Sequence, residues 1–295
     1  MKMILPILGI LSILSNPLNA QNYAWQQALA SYMNKPISSL VKAQGTISGA
    51  STNESKSIKG GIPTSVVKQS LSSSYNRTIV LQPVSEGGTF TIHRKVNKMI
   101  ITSKDAQSTS QYDSENLFER DVMATALGEQ YDPLVGKTHT SVFPSNQTVD
   151  TEKTFNGLWT KSVPFLVATP ELVGIVMPVK DMNDLKVGSV WKDEFPYGNQ
   201  IIVNTYTIVS LEKNVATATL TGRRESRSPS SIHLDNSRIV SIKTNYTGTI
   251  QFDPKKLFIY KASFHFTTEN SLQVMGSANN STTVTDSEIT NSFSR

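Results

Sequence analysis

With no cysteine in 295 residues, any chemistry in this chain falls to histidines, carboxylates, serine and lysine pairs, and one Gly-Lys-Thr run. The four histidines, His93, His139, His233 and His265, are scattered. None has a second histidine three to five residues away and no His-Glu-x-x-His helix exists, so a dedicated metal site has no ligand set. Asp181 and Asp184, like Asp193 and Glu194, lie near turns but lack the glycine and spaced oxygens of a calcium loop. Ser-x-x-Lys, the nucleophile signature of penicillin-recognising enzymes, occurs at Ser39, Ser65 and Ser210 without a Ser-Asp-Asn or Lys-Thr-Gly to handle protons. Gly136-Lys137-Thr138 ends like a phosphate-binding loop, yet Tyr131 stands where the first glycine is needed. A helix is expected before that run and a strand after it, the reverse of a phosphate cradle. The residues therefore assign no catalytic group, no metal and no cofactor, and the chain reads as a non-enzyme. The alternative, an envelope hydrolase, rests on carboxylates that only the fold could bring together.

Binding chemistry is better represented. From Leu257 to Thr268 one phase of a strand carries Phe258, Tyr260, Ala262, Phe264 and Phe266, and the other carries Lys261, Ser263 and His265. Such a strand gives a sheet an apolar inside. With Trp191, three residues after Gly188, the four aromatics are the candidate ligand-binding residues Trp191, Phe258, Tyr260, Phe264 and Phe266, and the ligand they suit is an apolar small molecule. The same face could equally wrap packed helices or meet an envelope protein.

The elements that must position these residues are mostly strands. Alternation marks strands at 75–84, 89–96, 200–211, 215–221, 237–252 and 257–268, with turns at Glu212-Lys213-Asn214 and Asp253-Pro254-Lys255-Lys256. Asn97-Lys98 reads as a tight turn before a strand at 99–103. Helical spacing appears at 22–33 through Trp25, Leu29 and Tyr32, at 114–130 with Ser114 as cap and Leu117, Phe118 and Val122 on its face, and after Thr169-Pro170-Glu171. Residues 43–74 are so rich in Ser, Thr, Asn and Lys that loops or polar edge strands are expected, and 275–295 reads as a polar tail or edge strand. The fold expected is α+β: a long curved antiparallel sheet, an open half-barrel, with two or three helices packed on it.

Lys2, the apolar run Met3–Leu14 and the small residue Ala20 form a cleavable secretory signal over residues 1–20. Its apolar part is shorter than the roughly 20 residues that span a bilayer, and no later segment is long and apolar enough. Cleavage leaves residues 21–295 as a single domain without a transmembrane segment, periplasmic or secreted from a bacterium, since an exported chain without disulfides fits a periplasm or medium best. A net charge of +5 gives solubility but no phosphate-tracking stripe, so nucleic acid is not a partner.

Three stretches carry a resemblance: Leu134-Val135-Gly136-Lys137-Thr138 with the helix before it, Asp184 to Trp191, and Thr247-Gly248-Thr249-Ile250-Gln251-Phe252-Asp253-Pro254. Over about Tyr75 to Thr268 the chain resembles an uncharacterised family of exported Bacteroidota proteins. The resemblance implies an open, helix-packed sheet of periplasmic lipoprotein-carrier type and brings no catalytic residues.

Overall fold

The computed structural model describes residues 41–59, 62–83, 90–143, 177, 179, 185–197, 200–226, 237–274 and 277–294. In chain order they form β1 (Val41–Lys59), β2 (Ile62–Pro83), β3 (Phe90–Lys104), β4 (Thr109–Asp113), α1 (Val122–Tyr131), β5 (Thr138–Phe143), β6 (Val190–Tyr197), β7 (Gln200–Leu211), β8 (Ala216–Ser226), β9 (Ser237–Phe252), β10 (Ile259–Val274) and β11 (Ser277–Ser294). All eleven strands join one sheet in the order β4-β3-β2-β1-β11-β10-β9-β8-β7-β6. β5 shares the β4 edge of β3: β4 pairs with Ile100 to Lys104 and β5 with Phe90 to Lys95. Every named strand pair is antiparallel, and β1 and β11 pair from Lys42↔Ser294 to Ile58↔Ala278.

This corrects the expected α+β class. Among the described residues there is one helix, α1, ten residues long, against eleven strands, so the fold is nearly all antiparallel sheet rather than a sheet with two or three packed helices. The helices expected at 22–33 and after Thr169, and the signal segment, lie outside the described residues. The error has a physical source. Residues 43–74 show no hydrophobic alternation, yet they build most of β1 and β2, which lie inside the sheet rather than at its edge. Serine, threonine and asparagine there satisfy the ladder with their backbones and one another with their side chains, as Thr283 Oγ1 does in donating to Asn53 Oδ1 at 3.2 Å. The polar tail is likewise an interior strand, β11, held between β1 and β10.

Strand lengths of 15 to 22 residues in β1, β2, β3, β9, β10 and β11 far exceed the usual five or six, so the sheet must twist and coil. Bulges help. Asn76↔Lys98 is followed by Arg77↔Val96, leaving Asn97 as an extra residue. The expected turn at Asn97-Lys98 is thus a bulge inside continuous β3. The turn at Asp253 is present: its carboxylate accepts from the N–H groups of Lys255 and Lys256, and Leu257 adopts φ 60° before β10 begins.

One face holds the core. Ile47, Tyr75, Ile79, Leu81, Met99, Ile101, Tyr112, Tyr206, Ile208, Leu220, Ile250, Phe252, Ala262, Phe264 and Ile289 are buried there. The other face carries Lys261, Ser263, His265, Asp286 and Glu288 into solvent. Burial is concentrated in one half of the sheet's length. β1 loses its apolar phase after Ile47, and β11 has no buried apolar side chain before Ile289 among the described ones.

Candidate functional site

Register places Trp191, Phe264 and Phe266 on one face, and Phe258 and Tyr260 join it through Phe293, but the five do not form one cluster. A single cross-strand row runs Phe264↔Gly248↔Leu220↔Tyr206↔Trp191, from β10 to β6. Four inter-strand steps separate Phe264 from Trp191, about 19 Å. Trp191 stacks on Tyr206 with ring centroids 5.1 Å apart and planes 14° from parallel. Phe266 heads the next row, Phe266↔Tyr246↔Gly222↔Asn204, and its ring lies 5.5 Å from Tyr246 and 6.2 Å from Phe264.

The two glycines in these rows explain how the rings lie flat on the sheet. A Cβ on Gly248 would sit 2.3 Å from the Phe264 ring, and one on Gly222 would sit 2.0 Å from the Tyr246 ring. Each aromatic therefore covers the bare backbone of its cross-strand partner.

Phe258 and Tyr260 form a separate group at the start of β10. Phe258 stacks on Phe293 at 4.6 Å, and Tyr260 meets the same ring edge-on at 6.1 Å. A register shift between Ile259 and Lys261 buries Ile259 and leaves Tyr260 half-buried, its hydroxyl donating to Asp253 Oδ2 at 3.2 Å. Burial, followed by the Asp253 charge, raises the Tyr260 phenol above its ordinary range. Phe258 and Phe264 are 3% exposed, whereas Trp191, Tyr260, Phe266 and Phe293 stay half-buried.

Polar groups interrupt this face in ways that motif reading missed. Tyr246 donates its hydroxyl to Asn204 Oδ1, both buried, and burial pushes its phenol far up. Thr244 and Thr268 share a 3.0 Å bond one row further on. Arg77, 2% exposed, donates to Asn291 Oδ1 at 2.9 Å while Asn291 donates to the carbonyl of Ile259. Burial lowers the Arg77 guanidinium to about 10. Arg94 is 1% exposed on the same face. Both arginines occupy the apolar phase of their strands, Tyr75-Arg77-Ile79 and Arg94-Val96. That was the signal available to find them.

The remaining sequence candidates stay apart. His265 Nδ1 pairs with Asp286 Oδ1 at 2.7 Å on the exposed face, and His93 Nδ1 with Thr140 Oγ1 at 2.9 Å. His139 stands opposite Arg94 in the ladder, Asp193 and Glu194 lie on β6, and His233, Asp181 and Asp184 fall outside the described residues. Among the described residues no three metal-ligating side chains converge. Gly136, at φ 80°, turns the chain from α1 into β5, so no helix follows Gly136-Lys137-Thr138 to cradle a phosphate.

Two concavities, of about 470 and 840 Å³, open on the exposed face rather than the aromatic one. The first is floored by Ser48, Ala50, Ser72 and Ser74 and edged by Asp286 and Glu288, and Phe264 also contributes to its lining. Further along β1 and β2, the second is lined by Thr52, Val284, Lys56, Lys68 and Lys104, among others.

No protein-family profile and no curated protein matches this chain. Among solved structures, a lipovitellin described for its lipid–protein interactions aligns over 85% of this chain with 12% identity and a TM-score of 0.43. The chain spans 25% of that protein's length. The translocator domain of the autotransporter NalP from Neisseria meningitidis aligns over 89% of this chain and 92% of its own, at 8% identity and a TM-score of 0.17. A loop-deleted OmpT, an outer-membrane protein of Vibrio cholerae, aligns over 83% and 99%, at 7% identity and a TM-score of 0.17. Likenesses this distant fix neither fold nor function.

Proposed function

We propose that this is an exported, non-catalytic bacterial envelope protein that holds an apolar ligand against the aromatic face of its sheet. The observation that carries the reading is the graded exposure of that face. Phe258 and Phe264 are sealed, while Tyr260 and Phe293 beside the first, Phe266 beside the second, and Trp191 four strands away stay half-buried. Phe264 and Tyr246, held over glycine backbone, fix the layer against which the half-buried Phe266 ring lies, so a ligand meeting Phe266 would order few side chains. Phe266 lies where the apolar half of the sheet gives way to Thr244, Thr268 and Asn53. A ligand lying there would keep its tail on the rings and any polar end among hydroxyls.

An outer-membrane barrel is the rival that an all-strand fold invites. Face polarity argues against it. A lipid-facing barrel is apolar outside and polar inside, whereas here Lys261, His265, Asp286 and Glu288 point out and the aromatics point in. No described helix is long and apolar enough to cross a membrane either, which leaves strands to this face argument.

The test is titration with a fluorescent fatty-acid probe. Wild-type protein should saturate, and Phe266→Ala should weaken binding about tenfold with a small change in denaturation midpoint, because a half-buried ring contributes less to the core than a sealed one. A wild-type protein that binds no apolar probe would overturn the reading and leave a structural or interaction role.

A further inference from the structure

The most anomalous surface lies outside the aromatic face. From the β4–α1 loop into the first turn of α1, Phe118 is 94% exposed, Val122 89%, Leu117 61% and Met123 41%. Four large apolar side chains within seven residues, at the tip of an otherwise packed corner, form an apolar knob. The corner beneath it is well tied. α1 is capped by Asp121, whose carboxylate accepts from the Ala124 N–H at 2.8 Å and the Ser110 hydroxyl at 2.6 Å. It packs through Ala124 and Tyr131 on Tyr112.

Carboxylates surround the knob. Residues 113 to 132 hold six, namely Asp113, Glu115, Glu119, Asp121, Glu129 and Asp132, against Arg120 and against Lys98 of β3, which pairs with Asp113 and Glu115, in a chain of net charge +5. That arginine, Arg120, is turned inward: it pairs with Asp132 and lies 4.9 Å over the Tyr112 ring, leaving its side chain 12% exposed. Glu119 and Asp121 are exposed, and Glu115, 64% exposed, pairs with Lys98 of β3. The knob therefore suits an apolar depression with a basic rim.

The same molecule carries one. The 840 Å³ trough on the exposed face has Val284, Ala106, Thr52 and Thr282 along it and Lys56, Lys68 and Lys104 around it. Lys56 and Lys68 share a single carboxylate, Glu54, at 3.0 and 3.2 Å, and remain 53% and 76% exposed. Asp105 directs its carboxylate back to the N–H groups of Gln107 and Ser108. Tyr112 and α1 lie on the core face of the sheet and the trough on the other, so a copy cannot fill its own trough. We propose that the Leu117-Phe118-Val122 knob of one copy seats in the Lys56, Lys68 and Lys104 trough of a second copy of this chain, a head-to-tail contact. This proposal does not depend on the ligand reading.

The experiment is sedimentation of the full chain and two surface variants. Wild-type protein should self-associate in a concentration-dependent way, less so at high salt, because the rims are screened. A knob variant, Phe118→Ser with Val122→Ser, and a trough variant, Lys68→Glu with Lys104→Glu, should each weaken association by about tenfold or more while keeping the wild-type circular dichroism and denaturation midpoint. Mixed one to one, the two variants should form a heterodimer, since one retains the trough and the other the knob. A wild-type chain monomeric at every concentration, a mixture that stays monomeric, or a knob that pellets with phosphatidylcholine vesicles while the trough variant associates normally would each overturn the proposal.

Discussion

Gly248 and Gly222 set how closely the aromatic face can lie on its backbone. Gly248→Val would drive a branched side chain into the Phe264 ring, already 2.3 Å from where a bare Cβ would stand. The expected cost is about 1 to 3 kcal/mol for overpacking, read as a lower urea midpoint. Phe264→Ala removes the same ring from the other side and should cost about 3 to 5 kcal/mol by opening a cavity. Because the two residues share one contact, Phe264→Ala combined with Gly248→Val should destabilise less than the sum of the singles, which a double-mutant cycle would read directly. At this scale the sequence was partly legible. Phe264 and Phe266 fall on the core face because alternation is unbroken from Lys261 to Thr268. Tyr260 escaped it because a bulge of one residue is invisible to a period of two. Arg77 and Arg94 are not legible as buried, because a charged side chain in a strand ordinarily faces solvent.

At the level of elements, α1 shows why a helix can be located correctly and oriented wrongly. The spacing of Leu117, Phe118 and Val122 suggests a buried stripe starting from a cap at Ser114, but the helix begins after Asp121 and buries Ala124, Gly128 and Tyr131 instead, with Leu127 half-buried. Small residues on the true contact face let the helix approach Tyr112 closely, a signal weaker than a run of large apolar ones. The corner it builds should respond to acid. The Arg120 guanidinium, aided by the Tyr112 hydroxyl and opposed by burial, holds the Asp132 carboxyl below its ordinary range. The Ala124 N–H and Ser110 hydroxyl do the same for Asp121. A depressed carboxyl contributes stability that is complete above the ordinary carboxylate range and is lost as pH falls through the folded value. Stability should thus decline below about pH 4, and Asp132→Asn should flatten that decline while lowering stability at neutral pH, as urea midpoints measured across the acid range would show. An unchanged acid limb in Asp132→Asn would mean that other carboxylates govern it.

For the whole molecule, the polar halves of β1, β2, β10 and β11 were the least legible part, since serine and asparagine mark loops in most chains. Here two neighbours hydrogen-bond each of those strands in register, and that context overrides propensity. Deleting Ser277–Ser294 should leave β1 and β10 each without one partner and abolish cooperative unfolding, a loss that thermal melts would register. The pairing of β1 with β11 has one more consequence. Lys42 meets Ser294, 252 residues further along the chain, so during synthesis β1 emerges long before the strand that completes its ladder. Until then one edge of β1 is an open template for any passing strand. The Thr-Asn-Glu-Ser-Lys run that made β1 look like a loop also makes it a poor nucleus for aggregation during that wait.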